Sequence, residues 1–141
     1  MADLTITDAN VVADSSTSGV SQPTVGTCGP VALTPMMPVY QDGGVWKKAD
    51  ANGNATRAQA TAVTLNSASP GQPVALLSGG GLNPGATVVV GKQYVVSHNS
   101  GKVAPVDDLI TADYVWYLGF ADTASHLVLN IGAQGALVQK P

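Results

Sequence analysis

The sequence contains no glutamate: all nine acidic residues are Asp, beside six Lys and Arg, two His and a single Cys in 141 residues. Charged residues make up 11% of the chain, against roughly a quarter in an ordinary soluble domain. So sparse a charge set implies an exterior partly covered by other subunits. A net charge of −3 with scattered basic residues leaves no footprint for phosphate backbones, so no direct nucleic-acid binding is expected. Apolar runs such as Val74 to Leu77 are too short to cross a bilayer, and no membrane partner is expected. Met1-Ala2-Asp3-Leu4 carries neither a basic leader nor an apolar stretch, so synthesis and retention in a cytoplasm are expected. Cys28 has no partner for an intrachain disulfide. It is expected as a small buried residue, with an intersubunit bond as the alternative.

What the chain does contain points to strands. Val occurs nineteen times, with sixteen Gly and nine Pro. Val and Thr favour pleated backbone, whereas Gly and Pro punctuate elements at intervals too short for long helices. The length suits one domain. The expected fold is all-β: a small single-domain β-barrel or sandwich of short antiparallel strands and hairpins, with an extended N-terminal arm and at most one short helix. Residues 1–19 form the arm and its link, and residues 20–141 the β-rich domain.

Within the arm, Leu4-Thr5-Ile6-Thr7 alternates with a period of two and predicts a strand. The polar Asp14 to Gly19 run reads as a link. Two placements are open to such a strand: added to a neighbouring subunit or at the edge of its own sheet. Residues 20–38 carry enough Pro and Gly to permit only very short strands. Val39 to Lys47, interrupted by Asp42-Gly43-Gly44, predicts a hairpin, with Trp46 as a core or interface anchor. Asn54 is placed to cap a turn of helix running through Arg57. Strands are expected at 61–66 and 72–78, and an irregular connection from Gly79 through Gly85.

The segment from Gly85 to Leu137 is the richest in strand character. Ala86–Val90 reads as a strand, followed by Gln93–Val96 and by residues 100–105. Asp107 and Asp108 are expected to open a short turn and cap it. A period of two through Tyr114–Phe120 places Tyr114, Trp116, Leu118 and Phe120 on one face and Val115, Tyr117 and Gly119 on the other. Beyond them, Leu127, Leu129 and Ile131 point inward while His126, Val128 and Asn130 share a wet face.

Several groupings imitate chemistry. Asp50, Asn52 and Asn54 stand two apart as in a calcium loop, yet Ala55 and Thr61 occupy the positions that need Gly and Glu. Gly85 and Gly91-Lys92 have the wrong spacing for a phosphate loop, and Gln93 replaces its hydroxyl. Ser97, His98 and Ser100 with Asp107 and Asp108 supply the residue types of a hydrolytic triad but no nucleophile elbow. Two His without a clustered third ligand make no zinc site. No catalytic, metal or cofactor-binding residue is expected, and the chain reads as one that binds and does not catalyse.

Several segments carry a resemblance: Ala2 to Thr7, Pro38-Val39-Tyr40 with Trp46 to Ala51, Leu65 to Pro73, and Tyr94 to Gly119. Together they resemble small virion proteins of tailed bacteriophages, the head decoration or cement proteins that sit outside an icosahedral capsid, commonly as trimers at local three-fold positions. The resemblance spans most of the chain but has no counterpart for residues 18–35. It implies a structural protein on the virion exterior, made in the bacterial cytoplasm, with the major capsid protein as partner, a homotrimeric state and no enzyme activity. Leu4, Ile6 and Val11 would then anchor the arm to the capsid or a neighbouring subunit, and a chain lacking residues 2–14 would still fold. Trp46, Trp116 and Tyr117 would serve the core or the subunit contact. A tail or fibre module is the first alternative. A carbohydrate-binding module with Tyr94, Trp116 or Tyr117 stacking on sugars is the second.

Overall fold

A computed structural model describes residues 3–13, 23–52, 54–132 and 138–140. The fold is all-β, with one helical turn. In chain order the elements are β1 (Val11–Ala13), β2 (Thr24–Thr27), β3 (Pro38–Asp42), β4 (Val45–Lys48), α1 (Ala55–Ala58), β5 (Ala62–Thr64), β6 (Pro73–Leu77) and β7 (Gly79–Pro84). They continue with β8 (Gln93–Val96), β9 (Val103–Pro105), β10 (Tyr114–Val115), β11 (Tyr117–Thr123), β12 (His126–Asn130) and β13 (Val138–Gln139). Short 3₁₀ turns cover Asp8–Asn10 and Val106–Asp108.

Two antiparallel sheets carry the fold. The larger has the order β1-β7-β12-β11-β8-β9 and the smaller β2-β6-β5-β3-β4, while β10 and β13 form a separate ribbon. The smaller sheet curls until its two edge strands touch at one parallel bridge, Cys28 to Trp46, beside a hydrogen bond from Gly29 N to Trp46 O of 2.9 Å. One bridge falls short of a closed barrel. Inside the curl lie Cys28, Leu33, Met37, Val39, Ala62, Ala68, Val74 and Leu76. Val63 and Leu77 of the same sheet turn the other way, into a larger core shared with Leu82, Tyr94, Val95, Leu118, Leu127 and Leu129. The smaller sheet is therefore apolar on both faces, which explains why β5 is buried along its whole length.

The arm ties together both edges of the larger sheet. Leu4 N donates to Val103 O on β9 at 2.8 Å, and Thr7 N donates to Gly85 O at 2.7 Å. Val11, Val12 and Ala13 then pair with Pro84, Asn83 and Leu82 on β7. The strand expected at Leu4–Thr7 is thus absent, and the one that forms is β1, an edge strand of the chain's own sheet. Leu4–Thr7 crosses between two edges, where no partner strand runs beside it. The Asp14–Gly19 link lies outside the described residues.

Several expectations hold. The β3–β4 hairpin turns through Gly43 and Gly44, both at positive φ (62° and 85°), where glycine carries no steric penalty. Asn54 caps α1 by accepting from Arg57 N at 3.0 Å. In β12, Leu127 and Leu129 are buried while Asn130 is exposed. Cys28 is buried and free.

Others need correction. Gly79–Gly81 is no irregular connection: it begins β7, pairing with Asn130, Leu129 and Val128 of β12. Ladder bonds come from backbone groups, so pairing with β12 can hold a stretch whose residues have little strand propensity. Ala86–Val90 forms no strand despite three consecutive valines. It is held by single bonds, Val88 N to Ala124 O and, just beyond it, Gly91 N to Ala121 O, both 2.9 Å. Tyr114–Phe120 is interrupted at Trp116, and the pairing of β11 with β8 shifts register between Tyr117 and Gly119. The shift breaks the alternation, so Leu118 is buried but Phe120 is exposed. The 3₁₀ turn at Val106–Asp108 forms as expected, but its N-cap is Pro105 with no side-chain cap, and Asp107 pairs with Lys92 at 3.1 Å.

Candidate interaction surface

The side chains that imitate catalytic groups are used to hold the chain together. Ser97 Oγ donates to the Asp3 carboxylate, whose second oxygen accepts from Asn99 Nδ2 at 2.9 Å. His98 Nδ1 meets Asp113 Oδ1 at 2.6 Å, and Asp113 Oδ2 accepts from Ile110 N at 2.9 Å. Ser97 and His98 therefore face different carboxylates, neither of them Asp107. The Ser97–Asn99 corner fastens the arm through Asp3. Through Asp113 it fastens the segment that exchanges backbone bonds with Lys140. Asp50 Oδ1 accepts from Asn52 N at 3.1 Å, so this carboxylate is used within the chain's own backbone. Among the described residues, no three His, Cys, Asp or Glu side chains are grouped to hold a metal.

The six residues expected at a contact all turn toward their own chain. Val11 is buried, and Leu4 and Ile6 are half-buried against the larger core. Trp46 packs on the smaller core, with its indole across Gly26. Trp116 is half-buried, donates from Nε1 to Ala60 O at 2.7 Å and lies over Gly132. Tyr117 is half-buried against the larger core. Tyr94, considered above as a sugar platform, is 1% exposed, and its hydroxyl accepts from Val89 N. It cannot stack on a ligand.

Of the eight large hydrophobics exposed among the described residues, two, Val12 and Phe120, lie on the outer face of the larger sheet, and Phe120 is the aromatic among the eight. Directly opposed residues across antiparallel strands share a face, and one such row runs Gly81 (β7), Val128 (β12), Phe120 (β11) and Gln93 (β8). Phe120 is 43% exposed, and Val128 is half-buried. On the edge strand, Val12 is 59% exposed opposite Asn83. Gly79 and Gly81 leave β7 without side chains beside Val128, so Phe120 stands above a flat strip. Around this centre the polar groups are Asn83, Gln93 and Asn130, with one ion pair, His126 Nδ1 to Asp122 Oδ1 at 2.6 Å. The hydrogen bond to His126 holds the Asp122 carboxyl below its ordinary range. Periodicity assigned Val128 to the outer face but grouped Phe120 with buried Leu118. Only the register shift reveals the row.

A flat sheet face with an aromatic at its centre, neutral amides around it and few charges can exclude water against another protein surface. It offers no concave site at which chemistry could be organised. Comparison with protein-family models, with curated proteins and with solved structures finds no match for this chain.

Proposed function

We propose that this chain is a structural protein of a tailed-bacteriophage head, which decorates the capsid exterior as a trimer and stabilises the shell by binding the major capsid protein. The observation that carries the reading is the Val12–Val128–Phe120 face. An exposed aromatic beside a half-buried valine on an open sheet face, with polar groups around them, suits a protein interaction site. The scarcity of charge and the segments that resemble decoration proteins support the same assignment. Contact is assigned to this sheet face; Val11 is buried in the chain's own core, and Leu4 and Ile6 pack partly against it. A decoration protein works by binding energy alone: it must bury enough surface across coat subunits to outweigh the cost of association.

The test is binding to purified, undecorated heads. The wild-type chain is expected to saturate them, and Phe120→Asp to lower affinity at least about tenfold, since a charge would be desolvated against the coat. Wild-type protein that fails to bind heads, or a Phe120→Asp chain that binds equally well, contradicts the proposal. Binding to tails alone would move the protein to the tail or fibre.

A further inference from the structure

A second surface, on the smaller sheet, has the composition of a ligand site. β3 contributes Tyr40 and Gln41, α1 and its C-cap contribute Thr56 and Gln59, and Thr61 leads into β5. Together they line an open cleft of about 280 Å³. Thr61 N donates to Val39 O at 2.9 Å, which sets Thr61 alongside Tyr40. Tyr40 is half-buried: part of it packs against the larger core and part lines the cleft. Its ring is therefore held in place before any ligand arrives.

Gln41 follows Tyr40 in β3 and points to the opposite face, so the polar groups beside Tyr40 are the Gln59 carboxamide, the Thr56 and Thr61 hydroxyls and the phenol. Each of these is both a donor and an acceptor. The Gln59 carboxamide is oriented by its own hydrogen bond, Nε2 to Ala55 O at 3.1 Å, which leaves Oε1 as an acceptor. Gln41, Thr56 and Thr61 make no side-chain hydrogen bond to another described residue. Among the described residues, no ionised side chain lines the cleft. Lys47, cross-strand from Tyr40, is paired with Asp42 at 2.8 Å. That pairing raises the Lys47 pKa, chiefly through the hydrogen bond to Asp42.

We propose that this cleft binds a neutral sugar residue, with the Tyr40 ring against the apolar C–H face of the pyranose and the Gln59, Thr56 and Thr61 side chains on its hydroxyls. The chemistry matches on both counts. Sugar hydroxyls donate and accept like the groups that line the cleft, and an aromatic ring with a polar tip suits a ligand with one apolar face. An ionic ligand would find no counter-charge here. The site is independent of the capsid reading: it lies on the other sheet and uses none of the residues of the Phe120 face.

The test is titration of the isotope-labelled full chain by NMR with glucose, galactose, mannose, rhamnose and N-acetylglucosamine, each to about 50 mM, since single-sugar contacts of this size imply a Kd of the order of 1 mM. At least one sugar is expected to shift the amides of Gln41, Thr56, Gln59 and Thr61 saturably. Glucuronate is expected to bind no tighter than glucose. Tyr40→Phe should keep the affinity within about threefold, and Tyr40→Ala should lose about tenfold or more. Because Tyr40 also touches the core, Gln59→Ala serves as the variant that leaves the core intact, with an expected loss of about fivefold. Absence of saturable shifts with every sugar, shifts confined to other residues, or undiminished binding by Gln59→Ala would overturn the proposal. None of these outcomes bears on capsid binding.

Discussion

Phe120 and Gly26 show how single residues divide between surface and scaffold. Phe120 is exposed on a strand whose neighbours on either side, Gly119 and Ala121, are buried. Phe120→Asp is therefore expected to change unfolding stability by about 1 kcal/mol or less, so any loss of binding belongs to the surface. A chain that no longer melts cooperatively would show that Phe120 supports the core. Gly26 behaves oppositely. A Cβ at that position would lie 2.3 Å from Trp46 Nε1, an overlap that the indole can relieve only by leaving the seam. Gly26→Ala is expected to cost about 1–3 kcal/mol, read by denaturant titration; an unchanged midpoint would show that the seam is slack. His126 and Asp122 give a prediction in pH. The Asp122 carboxyl is held low by His126, so the pair's contribution is present above the ordinary Asp pKa of about 3.9 and is lost as pH falls through the lower folded value. His126→Ala should move the Asp122 titration upward by NMR. A carboxyl that titrates as before would remove His126 as the cause.

Among the elements, the N-terminal arm departs furthest from its sequence pattern. Alternation in Leu4–Thr7 suggested a detachable strand, but the arm instead joins β9 to β7 across the open side of the larger sheet. It covers both edges and buries Val11, a side chain whose burial stabilises by about 1.5–3 kcal/mol alone. Removing residues 2–13 should strip β1 from β7 and expose the groove that Leu4 and Ile6 share with Met36, Met37 and Val103. The expected outcome is a much lower denaturation midpoint and raised binding of a hydrophobic dye; a truncated chain that melts like the full one would show that the arm is an accessory. Legibility followed the origin of each constraint. The β3–β4 hairpin, the Asn54 cap and the inward row of β12 were readable because their causes lie within a few neighbouring residues. The start of β7 was not readable, because Gly79–Gly81 is ordered by its pairing with β12, which is distant in sequence. Ala86–Val90 failed for the converse reason: strand propensity is present but no partner strand lies beside it. The Phe120 face depended on one register shift, which no local pattern encodes.

At the scale of the whole molecule, the ends of the chain converge on one corner. Asp3 from the arm and Asp113 from the segment paired to Lys140 are both held at Ser97–Asn99. The apolar sheet face is held by the ladders of β7, β12, β11 and β8 before any partner arrives, and a preformed surface adds little ordering cost on binding. That suits the proposed adhesion to a shell, and the cleft proposed to take a sugar on the other sheet would then face a different partner. The most direct test of the central claim is the amount of this chain in purified, infectious phage particles by quantitative mass spectrometry. The account predicts a copy number comparable with that of the major capsid protein, retained when tails are removed. Absence from the particles, or a copy number that falls with the tails, would contradict it.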